Sequence, residues 1–186
     1  MTPSPSPVAV IGLGNVLLGD DGFGPYVVEL LRAGWEFPDC VELIDAGTPG
    51  LGLVTYLCDR DAVILIDAIV ATGPPGELRS YRGSDLAAMP PQPRVSPHDP
   101  AVQETLAIAA LSDHVPQSVV LIGAIAAATE VGSGLTAPLR AAARAAADLV
   151  VGEVARHAPA PRRRAHVPPP DNWWTRSPLP VAAPIR

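Results

Sequence analysis

Three acids and one histidine stand where chemistry is done in many folds. Asp21 follows the apolar run Val8 to Leu13 through a glycine-rich turn, Asp45 follows Val41 to Ile44, and Asp67 directly follows Ala62 to Ile66. His98 stands in Ser96-Pro97-His98-Asp99. A carboxylate at the end of a buried strand has to be paired, ligated or solvated in a cleft, because an unpartnered charge in apolar surroundings is costly. Two carboxylates and an imidazole suit a borderline divalent ion with coordination positions left open. A carboxylate in such a group can equally act as a general base. Other chemistries lack their parts. The chain contains no lysine, which excludes lysine Schiff bases and the P-loop lysine of nucleotide hydrolases. It has no Gly-x-Ser-x-Gly elbow, and Cys40 and Cys58 are too few for a Cys-only zinc site or a disulfide framework.

Asp21, Asp67 and His98 are 46 and 31 residues apart, so only topology can join them. Val8 to Leu13 is nearly uniformly apolar, as a central parallel strand buried on both faces must be. Gly22 to Ala33 places Val27, Leu30 and Leu31 at helical spacing, with Gly34 as a stop. Further strands are expected at Val41 to Ile44, Ala62 to Ile66, Leu78 to Tyr81 (an edge) and Val119 to Ile125. Helices are expected through Leu51, Val54 and Leu57, over Pro100 to Leu111 and over Pro138 to Val154, and Gly83 to Pro97 reads as proline-rich loop. Strands alternating with helices predict an α/β fold of three layers, a twisted, mostly parallel sheet with helices on both faces. Ligands of such sheets sit outside the carboxyl ends of the strands, which is where the acids fall.

Each motif also has a plainer reading. Gly12-Leu13-Gly14 opens like a dinucleotide fingerprint, but the third glycine is replaced by Leu17, so the glycines read first as a tight strand exit needing positive φ. Asp20 or Asp21 can cap the following helix, Asp45 can orient its own loop, and His114, His157 and His166 read as loop or tail residues.

The chain has 186 residues, the size of one domain, with 48% apolar and 17% charged residues, a globular balance. Residues 1–161 carry eight arginines against 18 acids, whereas residues 162–186 carry five arginines against one aspartate. An acidic body argues against duplex-DNA binding, which needs a cationic face. No apolar run reaches the roughly 18–20 residues of a membrane span, and Met1 to Pro7 lacks the features of a signal peptide. The expectation is a soluble, cytoplasmic monomer with no nucleic-acid or membrane partner. Two regions are expected: a domain over 8–158, and a proline- and arginine-rich tail over 159–186 that is disordered or loosely docked.

The run Gly12-Leu13-Gly14-Asn15-Val16-Leu17-Leu18-Gly19-Asp20-Asp21-Gly22-Phe23-Gly24 resembles the opening motif of the [NiFe]-hydrogenase maturation endopeptidases. The resemblance continues, in order, through Asp45-Ala46-Gly47-Thr48, Ile66-Asp67-Ala68-Ile69, Ser96-Pro97-His98 and Gly134-Leu135-Thr136. It covers about Val8 to Arg156 and omits the tail. It implies a metal-dependent endopeptidase of aspartic-type character that removes the C-terminal extension of a hydrogenase large-subunit precursor after nickel insertion, recognising the substrate's nickel centre. It also implies that Asp21, Asp67 and His98 are the catalytic and metal-contacting residues and that Asp45, Gly47 and Thr48 help to hold the substrate. Nickel would arrive with the precursor, and other divalent ions would fit the same donors in vitro. The competing reading is a non-catalytic module that binds metal-loaded large subunit. A nucleotide-binding protein is a third, opposed by Leu17.

Overall fold

The computed structural model describes residues 7–88, 102–111, 115–132 and 134–175. His98, with Ser96 and Pro97, lies outside the described residues, as does most of the expected loop before it. The chain runs β1 (Val8–Leu13), α1 (Phe23–Gly34), β2 (Trp35–Glu36), β3 (Val41–Gly47), α2 (Leu53–Leu57), β4 (Ala62–Ile69) and β5 (Leu78–Arg82). It continues through α3 (Gly83–Ala87), α4 (Val102–Ala109), β6 (Ser118–Ile125), α5 (Ala137–Val154) and β7 (Arg162–Arg163). Five strands form one sheet in the order β3-β1-β4-β6-β5. All neighbours are parallel except the edge strand β5, which runs antiparallel to β6. The expected three-layer α/β fold is what the chain adopts.

Alternation of side chains across the pleat divides the apolar residues into two cores. Val8, Val10, Ile64, Ile66, Val120 and Ile122 face α1 and α5. Ala9, Ile11, Leu13, Val63, Leu65 and Leu121 face α2 and α4. β1 is therefore buried along its whole length, and its sequence shows no polar alternation for that reason. On α5, Leu139, Ala143, Ala146, Ala147, Val150 and Val154 make one fully buried helical stripe, whose alanines let the helix lie close to its neighbours.

The sequence expectations differ from the structure at a few ends. β4 runs on to Ile69, so Asp67 lies within the strand's last residues and not beyond it. Gly83–Ala87 is a short helix where a loop was expected. The pair β2 and β7, two residues each, had no periodic signal to announce it. It brings the first part of the arginine-rich tail alongside the end of α1, with Arg162 and Arg164 on Glu36 and the Arg163 guanidinium 5.5 Å from the Trp35 ring. No helix among the described residues is long and apolar enough to cross a membrane.

The order of strands sets where a ligand can go. Connections from β1 leave to opposite sides, to β3 through α1 and onward across β1 to β4 through α2, so the strand order reverses between β1 and β4. Open α/β sheets open a crevice at such a point, at the carboxyl ends of the strands. The first turn of α1 is driven down onto this crevice by Gly24: a Cβ there would lie 2.3 Å from the Leu13 carbonyl oxygen and 2.4 Å from that of Ile66. Gly24 thus performs the close helix-to-strand approach that a dinucleotide fingerprint assigns to its third glycine, seven residues later in the chain than Leu17. Gly24→Ala is expected to lower the unfolding free energy by about 1–3 kcal/mol, the usual cost of overpacking, read as an earlier urea midpoint at unchanged slope.

Candidate active site

The exit of β1 is shaped by Gly14. Its φ is +118°, its N–H donates to the Gly47 carbonyl at 2.8 Å, and a Cβ on it would lie 1.8 Å from the Asp21 carbonyl oxygen. Only glycine fits, and it lets Asp21 fold back over the strand end. Residues Gly19–Gly22 form a 3-10 turn. With three residues per turn, consecutive side chains diverge by about 120°, so Asp20 and Asp21 point in different directions.

Asp21 turns into the crevice. Its Oδ2 accepts the Asn15 N–H at 2.6 Å, and Asn15 Oδ1 in turn accepts the Leu17 N–H at 2.9 Å. Asp67 comes from β4, one residue beyond the pairing of Ile66 with Gly12, and its Oδ1 accepts the Ala68 N–H at 2.8 Å. The two carboxylates flank the reversal point and feel each other. Burial, and after it the charge of Asp21, pushes the Asp67 carboxyl up to about 8, against the lowering effect of the Ala68 N–H. Burial also raises Asp21, opposed by its bond from Asn15. Asp67, raised to about 8, is held largely in its protonated form at neutral pH beside the Asp21 carboxyl.

Asp20 turns inward and is fully buried. Its Oδ1 accepts the Thr136 N–H at 2.7 Å, and its Oδ2 accepts Ala127 N–H at 2.8 Å, Ala128 N–H at 3.1 Å and the Thr136 hydroxyl at 3.0 Å. Neither aspartate caps α1, whose N-terminus has no side-chain cap. Asp45 is not brought to the pair. Strand alternation puts it on the α1 face of the sheet, with Val41 and Leu43, while Asp67 lies on the α2 face, with Val63 and Leu65. β3 runs on to Gly47, past the expected end at Ile44, and Asp45 Oδ1 accepts the Gly47 N–H at 3.1 Å across the irregularity at Ala46 in the strand's last residues. Gly47, at φ +58°, and the exposed Thr48 continue that segment beside the Gly14 turn. Among the described residues no three His, Cys, Asp or Glu side chains are grouped to hold a metal; the carboxylates of Asp21 and Asp67 are the two donors of the expected set that lie within them.

The hydrogenase maturation protease family model, HycI, matches residues 25–153. The chain belongs to the hydrogenase maturation proteases. It is 37% identical over 142 residues to the hydrogenase expression/formation protein HupM of Azotobacter chroococcum, covering 76% of this chain and 68% of that protein. It is 33% identical over 135 residues to the hydrogenase 2 maturation protease of Escherichia coli, covering 72% and 82%. In three dimensions it is similar to the hydrogenase maturating endopeptidase HybD from E. coli, with a TM-score of 0.77, 30% identity, and coverage of 84% of this chain and 97% of that one.

Two contributors to this protease's crevice escaped the sequence reading. Asn15 acts through its backbone N–H, which no residue type announces. Asp20 acts through partners 107 to 116 residues away; the only sequence trace of them is Thr136, in the Gly134-Leu135-Thr136 element. The raised Asp67 carboxyl has a consequence for stability. An aspartate ionises near 3.9 in an unfolded chain, so between about pH 4 and 8 the folded protein binds more protons than the unfolded one, and stability falls as pH rises through that window. Asp67→Asn should therefore raise the Tm at pH 8 by a few degrees, with the gain shrinking towards pH 5, in thermal unfolding followed by circular dichroism.

Proposed function

We propose that this protease makes a single cut that removes the C-terminal extension of a [NiFe]-hydrogenase large-subunit precursor, and does so only after nickel has been inserted. The observation that carries the reading is the Asp21–Asp67 pair at the reversal point of the sheet, in a member of the hydrogenase maturation family. Substrate nickel, held by thiolates of the precursor, takes oxygen ligands from Asp21 and Asp67 and an imidazole nitrogen from His98. Binding the dication expels the proton of the Asp67 carboxyl and makes both carboxylates ligands. Docking on the metal then fixes the scissile peptide bond beside the crevice, and orientation of this kind lowers the barrier strongly. A precursor without the metal meets two carboxyls and no attraction, which supplies the selectivity.

Hydrolysis at this site has two routes: polarisation of the scissile carbonyl by the ion, or activation of water by a carboxylate as general base. The Asp45–Thr48 segment flanks the crevice and contacts the substrate tail. A protein substrate also suits the surroundings. Leu17 and Val131, 58% and 89% exposed, adjoin the Leu18–Gly132 backbone bridge at the edge of the Asp21 turn, where an apolar stretch of precursor can cover them. The precursor is met in the cytoplasm, by a monomer.

Intact-mass spectrometry of precursor incubated with the protein tests the reading. One C-terminal mass loss, confined to nickel-loaded precursor, is the expected result. Cleavage regardless of nickel would remove the metal gate, and metal-dependent binding with no mass loss would make the chain a recognition module. Asp21→Asn, Asp67→Asn and His98→Ala should each reduce processing by at least about 100-fold, the scale on which a lost catalytic interaction is felt, with unchanged circular dichroism. Normal processing by all three would show that the site lies elsewhere.

A further inference from the structure

We propose that Asp20 is the positioning residue of the site: it bolts the turn that carries Asp21 to the loop between β6 and α5, and so holds the Asp21 carboxylate at its working place beside Asp67. The inference rests on the Asp21–Asp67 reading above. Its own ground is the bonding around Asp20, where both carboxylate oxygens, fully buried, are saturated by four donors from one segment: Ala127, Ala128 and the N–H and hydroxyl of Thr136. A buried anion with fewer partners would be costly; with four charge-assisted bonds it becomes a strong fixed joint.

The backbone repeats the attachment on both sides of the side chain. Gly19 N–H donates to the Gly132 carbonyl at 2.8 Å, Asp20 N–H to that of Ala128 at 2.9 Å, and Gly132 N–H to that of Leu17 at 2.9 Å. Thr136 stands at the N-cap of α5, yet its hydroxyl makes no cap bond and goes to Asp20 instead. A side chain that ordinarily serves its own helix is here committed to the turn beneath Asp21. The joint also explains why two adjacent aspartates occur. Successive positions of a 3-10 turn diverge, so one carboxylate anchors the turn in the body while the next projects into the crevice. Among the described residues the Asp21 carboxylate accepts the Asn15 N–H, and its place therefore depends on where the turn is held.

Three variants test this. In Asp20→Asn, whichever way the amide lies, an NH2 group confronts N–H donors that the carboxylate had accepted. Thr136→Val removes only the hydroxyl, and Thr136→Ser returns it. Two quantities are read: kcat and KM for nickel-loaded precursor, and the amide resonance of Asn15 in an 1H–15N spectrum, which reports the Asn15–Asp21 bond directly. Asp20→Asn is expected to lower kcat by about 10- to 100-fold, the size of effect a displaced catalytic group produces, with KM raised because Asp21 also holds the substrate's metal, and with the Asn15 resonance moved. Thr136→Val should change both quantities in the same direction by less, and Thr136→Ser should restore both. If Asp20→Asn does not fold, the Thr136 pair decides.

An unmoved Asn15 resonance with unchanged kcat per folded molecule would overturn the proposal. So would a loss of folded protein alone, with normal kcat in what remains. Failure of the underlying reading has a different signature, because Asp21→Asn would then process precursor normally, while the Asn15 resonance in the Asp20 variant would still report whether the turn is bolted.

Discussion

The buried carboxylate of Asp20 is the constraint on which the carboxyl edge of this sheet depends. β1 and β6 are not neighbours, since β4 lies between them, and their exits could otherwise move independently. One charged group accepting four bonds from the segment 127–136 ties the two exits together across β4. Asp67 emerges from that same central strand. The joint therefore frames Asp67 from both sides, and the rigidity of the frame comes from the low-dielectric burial that makes any lost bond expensive.

Against that fixed background, the Asp21–Asp67 pair is a local instability maintained by the rest of the fold. Each carboxyl is raised by burial, and Asp67 further by its neighbour's charge. A fold selected for stability alone would not place two acids there, and strained or electrostatically unfavourable groups held in place by their surroundings characterise functional sites. The counterweights are concrete: the Asn15 N–H on Asp21, the Ala68 N–H on Asp67, and two apolar cores that lock β1 and β4 by burying every residue from Val8 to Leu13 and from Ala62 to Ile66.

Much of this was legible in the chain. The uniformly apolar runs could only be strands buried on both faces, and the 3.6-residue stripes on α1 and α5 could only cover them. The positions of Asp21 and Asp67 at strand ends followed from those runs, and the order of the motifs indicated the family. The ends of elements were less legible: β4 keeps its ladder with β6 through Asp67 to Ile69, although the apolar pattern stops at Ile66. The pairing of β2 with β7 joins four residues with no periodicity, and it rests on arginine–glutamate and arginine–tryptophan contacts that form only once α1 and α5 are packed.

By itself, then, the sequence determined the fold class and the layer to which each apolar face belongs, because these follow from local period; it set three acids at strand ends, and the family resemblance selected Asp21 and Asp67 among them. The family resemblance singles out Asp21, and the tertiary structure supplies the physical difference between Asp20 and Asp21. Both are the same residue type, one position apart, and nothing local distinguishes them. Their roles are set by a 3-10 turn that sends one side chain towards donors more than a hundred residues away and the other towards Asp67. Asp45 was decided in the same way. It sits near a strand end like the others, but the parity of its strand sends it to the opposite face, where its carboxylate holds the irregular last residues of β3.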